Sequence, residues 1–217
     1  MKGLLLNQYY AAEKSIKYYV PISFAVACAL LFFENAMAQR FAAFIPIVII
    51  GTAALEVLKQ ESQSGWDKYV MTLPVKRNHV VQSHYVFFLL MTFTGLLIAG
   101  TTYVVGNFVF GQTPGTGFVY GVMDVLGITF TMGFVAYPLT YLLGTQKAEV
   151  VYMISGGGAL GLFFLSAIVF ELWIAPLNLF QGMNIDLMFS ISYMTINFVL
   201  FLISYAVSIL VYKRKEF

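Results

Sequence analysis

Six long apolar runs constrain this chain more than any other feature. They cover about residues 18–33, 41–58, 85–106, 122–143, 150–170 and 187–211. A hydrocarbon layer about 30 Å thick takes about 20 residues of helix, so each run is long enough, or nearly so, to cross it. Inside lipid every backbone N–H and C=O must pair within the protein, and a continuous apolar run does that as a helix. A β-barrel would show short alternating segments instead. The 217 residues leave room for six crossings and short loops, but for no sizeable soluble domain. Apolar residues make up 60% and charged residues 10%, against about 25% charged in soluble domains. So few charges exclude a soluble globule, and the apolar content excludes disorder and collagen. Cys28 is the single cysteine, so neither a disulfide framework nor a cysteine zinc site is available. The reading is an all-α integral membrane protein with one domain over 1–217.

The basic residues set its orientation. Lys2, Lys14 and Lys17 precede the first run. Lys59, Lys68, Lys76 and Arg77 lie between the second and third, Lys147 between the fourth and fifth, and Lys213, Arg214 and Lys215 in the tail. Eleven of the 12 Lys and Arg residues therefore fall on one side, and only Arg40 on the other. That imbalance places both termini in the cytoplasm. Glu34, Asp124, Glu171 and Asp186 leave the opposite face acidic. No cleavable signal peptide is visible, because Glu13, Lys14 and Lys17 interrupt the stretch before an apolar core forms. Leu5, Tyr9, Ala12, Ile16 and Tyr19 recur at helical spacing. Residues 1–17 therefore read as an interfacial amphipathic helix, the plainer alternative being a charged lead-in to the first span.

One connection is longer than a turn needs: Lys59 to His84. Gln60 to Gly65 read as polar and flexible. Trp66 to Leu73 fit a short helix with an apolar face of Trp66, Tyr69, Val70 and Leu73, which Pro74 ends because proline disfavours α conformation in the residue before it. Asn78 is a cap for the next helix. The connection reads either as an amphipathic helix on anionic lipid or as a docking element for a cytoplasmic partner.

Chemistry-bearing motifs are missing. Neither glycine-rich stretch, Gly111–Gly117 or Gly156–Gly161, is followed by the lysine of a phosphate-binding loop. His79 and His84 have no His-Glu-x-x-His arrangement and no acidic cluster beside them in sequence. No catalytic residue, no metal site and no bound cofactor are expected, and no nucleic-acid partner. Gly157 and Gly161 have the spacing that permits close helix approach, read first as packing within the chain and second as a dimer contact or hinge. The carboxylates Glu56, Asp124, Glu149 and Glu171 fall near span ends, so an ion-coupled carrier with midplane charges is disfavoured. Ten Met and 21 Phe suit an amphipathic passenger, although they also fill lipid-facing and helix-packing positions.

The string Gly65-Trp66-Asp67-Lys68-Tyr69-Val70-Met71-Thr72-Leu73-Pro74-Val75-Lys76-Arg77 resembles the cytoplasmic loop of small ABC-2 type permeases, whose pattern is an aromatic, Lys-Tyr, then Thr-Leu-Pro-Val and a basic pair or Ser-Arg. The Met1-Lys2-Gly3-Leu4-Leu5 start and the six-span plan extend the resemblance over essentially the whole chain. Within the family it is similar to the transmembrane subunit of Gram-positive exporters of phenol-soluble modulins and related amphipathic peptides. Lys76 stands where many relatives have Ser.

The resemblance implies a type V exporter-like architecture. It comprises an N-terminal interfacial elbow, a cytoplasmic coupling helix in the 59–84 loop, and short re-entrant outer helices over 171–186, where Pro176 breaks an apolar stretch. It implies a permease of the bacterial plasma membrane, without its own motor, carrying amphipathic peptides. The ATP and Mg would be bound by a separate ABC ATP-binding subunit, two copies of which dock on Trp66, Asp67, Lys68, Tyr69, Thr72, Leu73, Pro74, Val75, Lys76 and Arg77. A second permease copy, more readily the same chain than a relative, would complete the pathway. The rival readings are a motor-free secondary transporter and a non-transporting membrane regulator. Bacteriocin immunity and ion export are further roles within the family.

Overall fold

The chain is described from a computed structural model over residues 2–33, 35–110, 116–177 and 184–214. Among these residues it is helical throughout. The long helices are α1 (Lys2–Leu31), α2 (Ala36–Ser64), α4 (Arg77–Phe110), α5 (Thr116–Leu143), α6 (Ala148–Val169) and α7 (Ile185–Arg214), with the short α3 (Trp66–Tyr69) between α2 and α4. Among the described residues six helices are long and apolar enough to cross a membrane.

The helices are longer than the apolar runs. The interfacial helix expected over 1–17 is not a separate element: α1 is continuous from Lys2 to Leu31. At 1.5 Å per residue its 30 residues reach about 45 Å, beyond a hydrocarbon layer of about 30 Å. Pro21 inside α1 removes one backbone donor without ending the helix. The polar stretch from Lys59 to Ser64 is also helical rather than flexible, because α2 runs on until Gly65 closes it. The expected re-entrant helices do not appear among the described residues. Phe170–Ile174 continues α6 as one wide π turn, Ala175–Leu177 tightens to a 3-10 turn, and α7 already begins at Ile185. Residues 178–183 of that expectation, with Glu34, Gly111 to Gly115 and Lys215, lie outside the described residues.

The bundle is built on α2 and α5, which lie against each other: α5 packs along α7 and α6, and α2 along α1 and α4. Tyr137, Phe88 and Phe201, from three different helices, are fully buried against one another, their rings 5.3–5.8 Å apart where they meet. Gly95 lets α4 reach α2 closely: a β-carbon there would lie 2.8 Å from the Ile47 α-carbon and from the Pro46 carbonyl oxygen. Buried hydroxyls on α5 return to their own helix, Thr129 to the Val125 carbonyl and Thr140 to that of Ala136, both at 2.8 Å, so they need no water. α6, by contrast, is largely uncovered along Val150, Ile154, Leu165 and Ile168.

Candidate functional site

The connection between α2 and α4 is a tight corner. Gly65 has φ 71°, the left-handed region that closes a helix, and its N–H donates to the Ser62 carbonyl. One α turn comes next, in which the Lys68 and Tyr69 amides donate to the Gly65 carbonyl at 3.2 and 3.1 Å. Val70–Thr72 tightens to a 3-10 turn, with the Thr72 hydroxyl on the Tyr69 carbonyl at 2.8 Å. Leu73 is extended (φ −80°, ψ 152°), the conformation that a proline after it imposes. The Val75 amide then donates to the Leu73 carbonyl at 2.7 Å, a three-residue turn centred on Pro74. α4 begins at Arg77, one residue ahead of the expected Asn78 cap.

The corner has two faces. Val70 is buried, and Trp66, Leu73 and Val75 pack on the main core. Lys68, Tyr69, Thr72, Pro74 and Lys76 are exposed, Tyr69 at 56%. Tyr69 therefore does not share the inward face with Trp66, Val70 and Leu73, as the helical spacing suggested. The change from α to 3-10 winding after Tyr69 shifts the phase of Val70 to Thr72 relative to the turn before them. Asp67 faces the bundle: one carboxylate oxygen accepts the Lys68 amide at 2.9 Å and the other the Thr145 hydroxyl, beyond α5, at 2.6 Å. Arg77 donates to the Lys213 carbonyl at 3.1 Å, and the Tyr212 hydroxyl donates to the Met71 sulfur at 3.3 Å.

Directly beneath lies a polar cluster that the sequence did not disclose. His84 Nε2 is 2.9 Å from Glu61 Oε2, and His84 Nδ1 is 2.9 Å from the Tyr141 hydroxyl. All three residues are buried. The Tyr137 hydroxyl donates to the His84 carbonyl at 3.2 Å. A carboxylate only accepts, so an ionised Glu61 makes Nε2 the donor in that contact, and Nδ1 shares the second hydrogen bond with the Tyr141 hydroxyl. The absence of acidic neighbours expected for His84 is thus corrected: Glu61 is far in sequence but one helix turn before the corner. The signal was the α4 stripe Val80, Val81, His84, Tyr85, Phe88, all buried, whose spacing points His84 inward. Among the described residues no three His, Cys, Asp or Glu side chains group as a metal site.

Beside the corner a cavity of about 380 Å³ opens between α2 and α6, lined by Glu56, Lys59, Gln60, Glu149 and Tyr152 among others. Lys59 pairs with Glu149 at 3.0 Å across it. Glu56 accepts the Ser15 and Tyr19 hydroxyls of α1 at 2.8 and 2.7 Å. Gly157 and Gly161 do not pack within the chain, since a β-carbon at either would meet nothing within 4 Å.

Comparison with curated proteins and with solved structures returned no match. The family model described as ABC-2 family transporter protein matches residues 3–213. That match takes in the corner, the buried cluster and all six apolar helices together. The chain therefore belongs to the ABC-2 family of transporter proteins, as a multi-pass membrane component of a transport system.

Proposed function

We propose that the chain is the permease subunit of an ATP-driven ABC exporter of amphipathic or hydrophobic peptides, powered by a separate ATP-binding subunit that docks on the 65–77 corner. The observation that carries this reading is the corner itself. It is a short helix closed at both ends, fixed to the core by Val70, Leu73 and Asp67, and exposing Tyr69, Lys68 and Lys76 outward. The family implies an ABC ATP-binding partner in general, and the strong bias of Lys and Arg supports a cytoplasmic corner, on the side where ATP is. A single chain of six helices is a poor enclosure for a peptide. Two copies are therefore the transporting unit, meeting where α6 leaves Gly157 and Gly161 open. Sparse charge within the spans and abundant Met and Phe suit an amphipathic passenger.

The test is co-purification of the chain with an ABC ATP-binding subunit, then reconstitution. Stimulation of ATP hydrolysis by an amphipathic peptide, with loss of binding in Tyr69→Glu, supports the reading. Peptide movement driven by an ion gradient without the partner overturns it in favour of secondary transport.

A further inference from the structure

The segment 66–76 meets its two neighbouring helices through bends, the left-handed Gly65 and the extended Leu73–Pro74 step. A backbone that turns sharply at both ends carries little torque. What joins the segment to the membrane helices is side-chain contact, and that contact reaches beyond α2 and α4. Thr145, past the end of α5, holds Asp67, and Tyr212 of α7 holds Met71. Neither α5 nor α7 is adjacent to the segment in sequence, and α5 packs along α7, α2 and α6.

Under these contacts the Glu61–His84–Tyr141 chain crosses α2, α4 and α5 in two hydrogen bonds of 2.9 Å. A buried carboxylate and imidazole cost free energy to remove from water, and a buried network repays this only when every member is satisfied in one geometry. Here the three groups satisfy one another, and Tyr137 adds a second tie from α5 to the His84 carbonyl. We infer that Glu61, His84 and Tyr141 are positioning residues that lock the corner and the adjoining ends of α2, α4 and α5 into one rigid block, to which Tyr212 ties α7. A displacement at Tyr69 then moves α5 and α7 with α2 and α4 instead of being absorbed at Gly65 and Pro74. The use of the block rests on the proposed docking of an ATP-binding subunit; its rigidity is a property of this chain alone.

The experiment has two arms. In the first, the chain with Cys28→Ala is spin-labelled at cysteines replacing the exposed Lys68 and Leu142, placed in nanodiscs without a partner, and its distance distribution is measured. The starting protein gives one narrow distribution. Tyr141→Phe, which deletes a single hydroxyl, and His84→Gln broaden it or split it in two, while helix content by circular dichroism is kept. If His84→Gln fails to fold, Tyr141→Phe decides. In the second arm the unlabelled chain is reconstituted with the ATP-binding subunit. Tyr141→Phe keeps subunit binding and ATP hydrolysis, while peptide moved per ATP falls about tenfold. A merely structural role would lower all three together. A Tyr141→Phe distribution as narrow as the starting one overturns the inference, as does unchanged transport per ATP. If the starting protein binds no ATP-binding subunit, the docking reading fails and the first arm still decides whether the block is rigid.

Discussion

Gln8 of α1 donates from Nε2 to the Ser83 hydroxyl of α4 at 2.9 Å, inside the bundle, and Ser83 in turn donates to the Val80 carbonyl at 2.7 Å. The amide oxygen of Gln8 is buried without a partner. An unsatisfied buried acceptor costs about 1–3 kcal/mol, so an apolar side chain of similar size recovers part of that. Gln8→Leu is therefore expected to stay within about 1 kcal/mol of the parent or to exceed it. Gln8→Ala, which opens a cavity, costs about 2 kcal/mol or more. Thermal unfolding in one detergent, with both variants side by side, checks the order.

Tyr69 and Leu73 are expected to separate partner binding from folding. Tyr69 is exposed, whereas Leu73 packs on the core. Tyr69→Ala leaves the unfolding temperature unchanged and weakens binding of the ATP-binding subunit by about 2 kcal/mol, the size of an interface hot spot. Leu73→Glu lowers the unfolding temperature itself. Calorimetry of binding together with thermal unfolding distinguishes the two.

The buried Glu61–His84 contact of 2.9 Å makes a non-additive pair. Removing one partner leaves the other buried with their shared hydrogen bond unmade, at about 3–5 kcal/mol, whereas replacing both by apolar residues costs far less. Glu61→Leu and His84→Leu singly should each destabilise more than the double variant does. Equal or additive losses in a denaturant-unfolding cycle would contradict the pairing.

Gly65 carries a positive φ of 71°. Left-handed backbone costs a residue with a β-carbon about 1–2 kcal/mol. Gly65→Ala is thus expected to destabilise by about 1 kcal/mol and Gly65→Asn by less, because asparagine tolerates this region. Gly157→Ala runs the other way. Its β-carbon meets nothing, and the gain in helix propensity is about 0.5–1 kcal/mol for the single chain. If two copies meet on this face, Gly157→Ile lowers the dimer fraction seen by mass photometry.

Membrane crossing was legible because apolar length is a one-dimensional signal, and the end of the corner because Pro74 acts locally, whereas Gly65 reads in sequence as part of a flexible stretch. Helix ends were not. α2 extends through Lys59-Gln60-Glu61-Ser62-Gln63-Ser64 because nothing in that polar stretch breaks a helix before the glycine. Likewise α1 is not split near Lys17, since neither the nearby charges nor Pro21 terminates it. The partition of the candidate site was hidden for a different reason. Asp67 and Tyr69 are two residues apart, yet one is held by Thr145, 78 positions away, and the other faces outward. Glu61 and His84, 23 positions apart, became a pair only through the packing of α2 on α4.

The sharing of the bundle between α2 and α5 has a consequence for how the protein is made. Helices α1, α2 and α4 leave the ribosome first and pack on one another, whereas α6 and α7 have their main partner in α5. Until Thr116–Leu143 has entered the bilayer, the inward faces of the earlier helices, including Glu61 and His84, have lipid or one another for company, and α7 can seat only afterwards. Biogenesis is thus a matter of two halves, α1 to α4 first, and α6 and α7 only once the fourth crossing is in place.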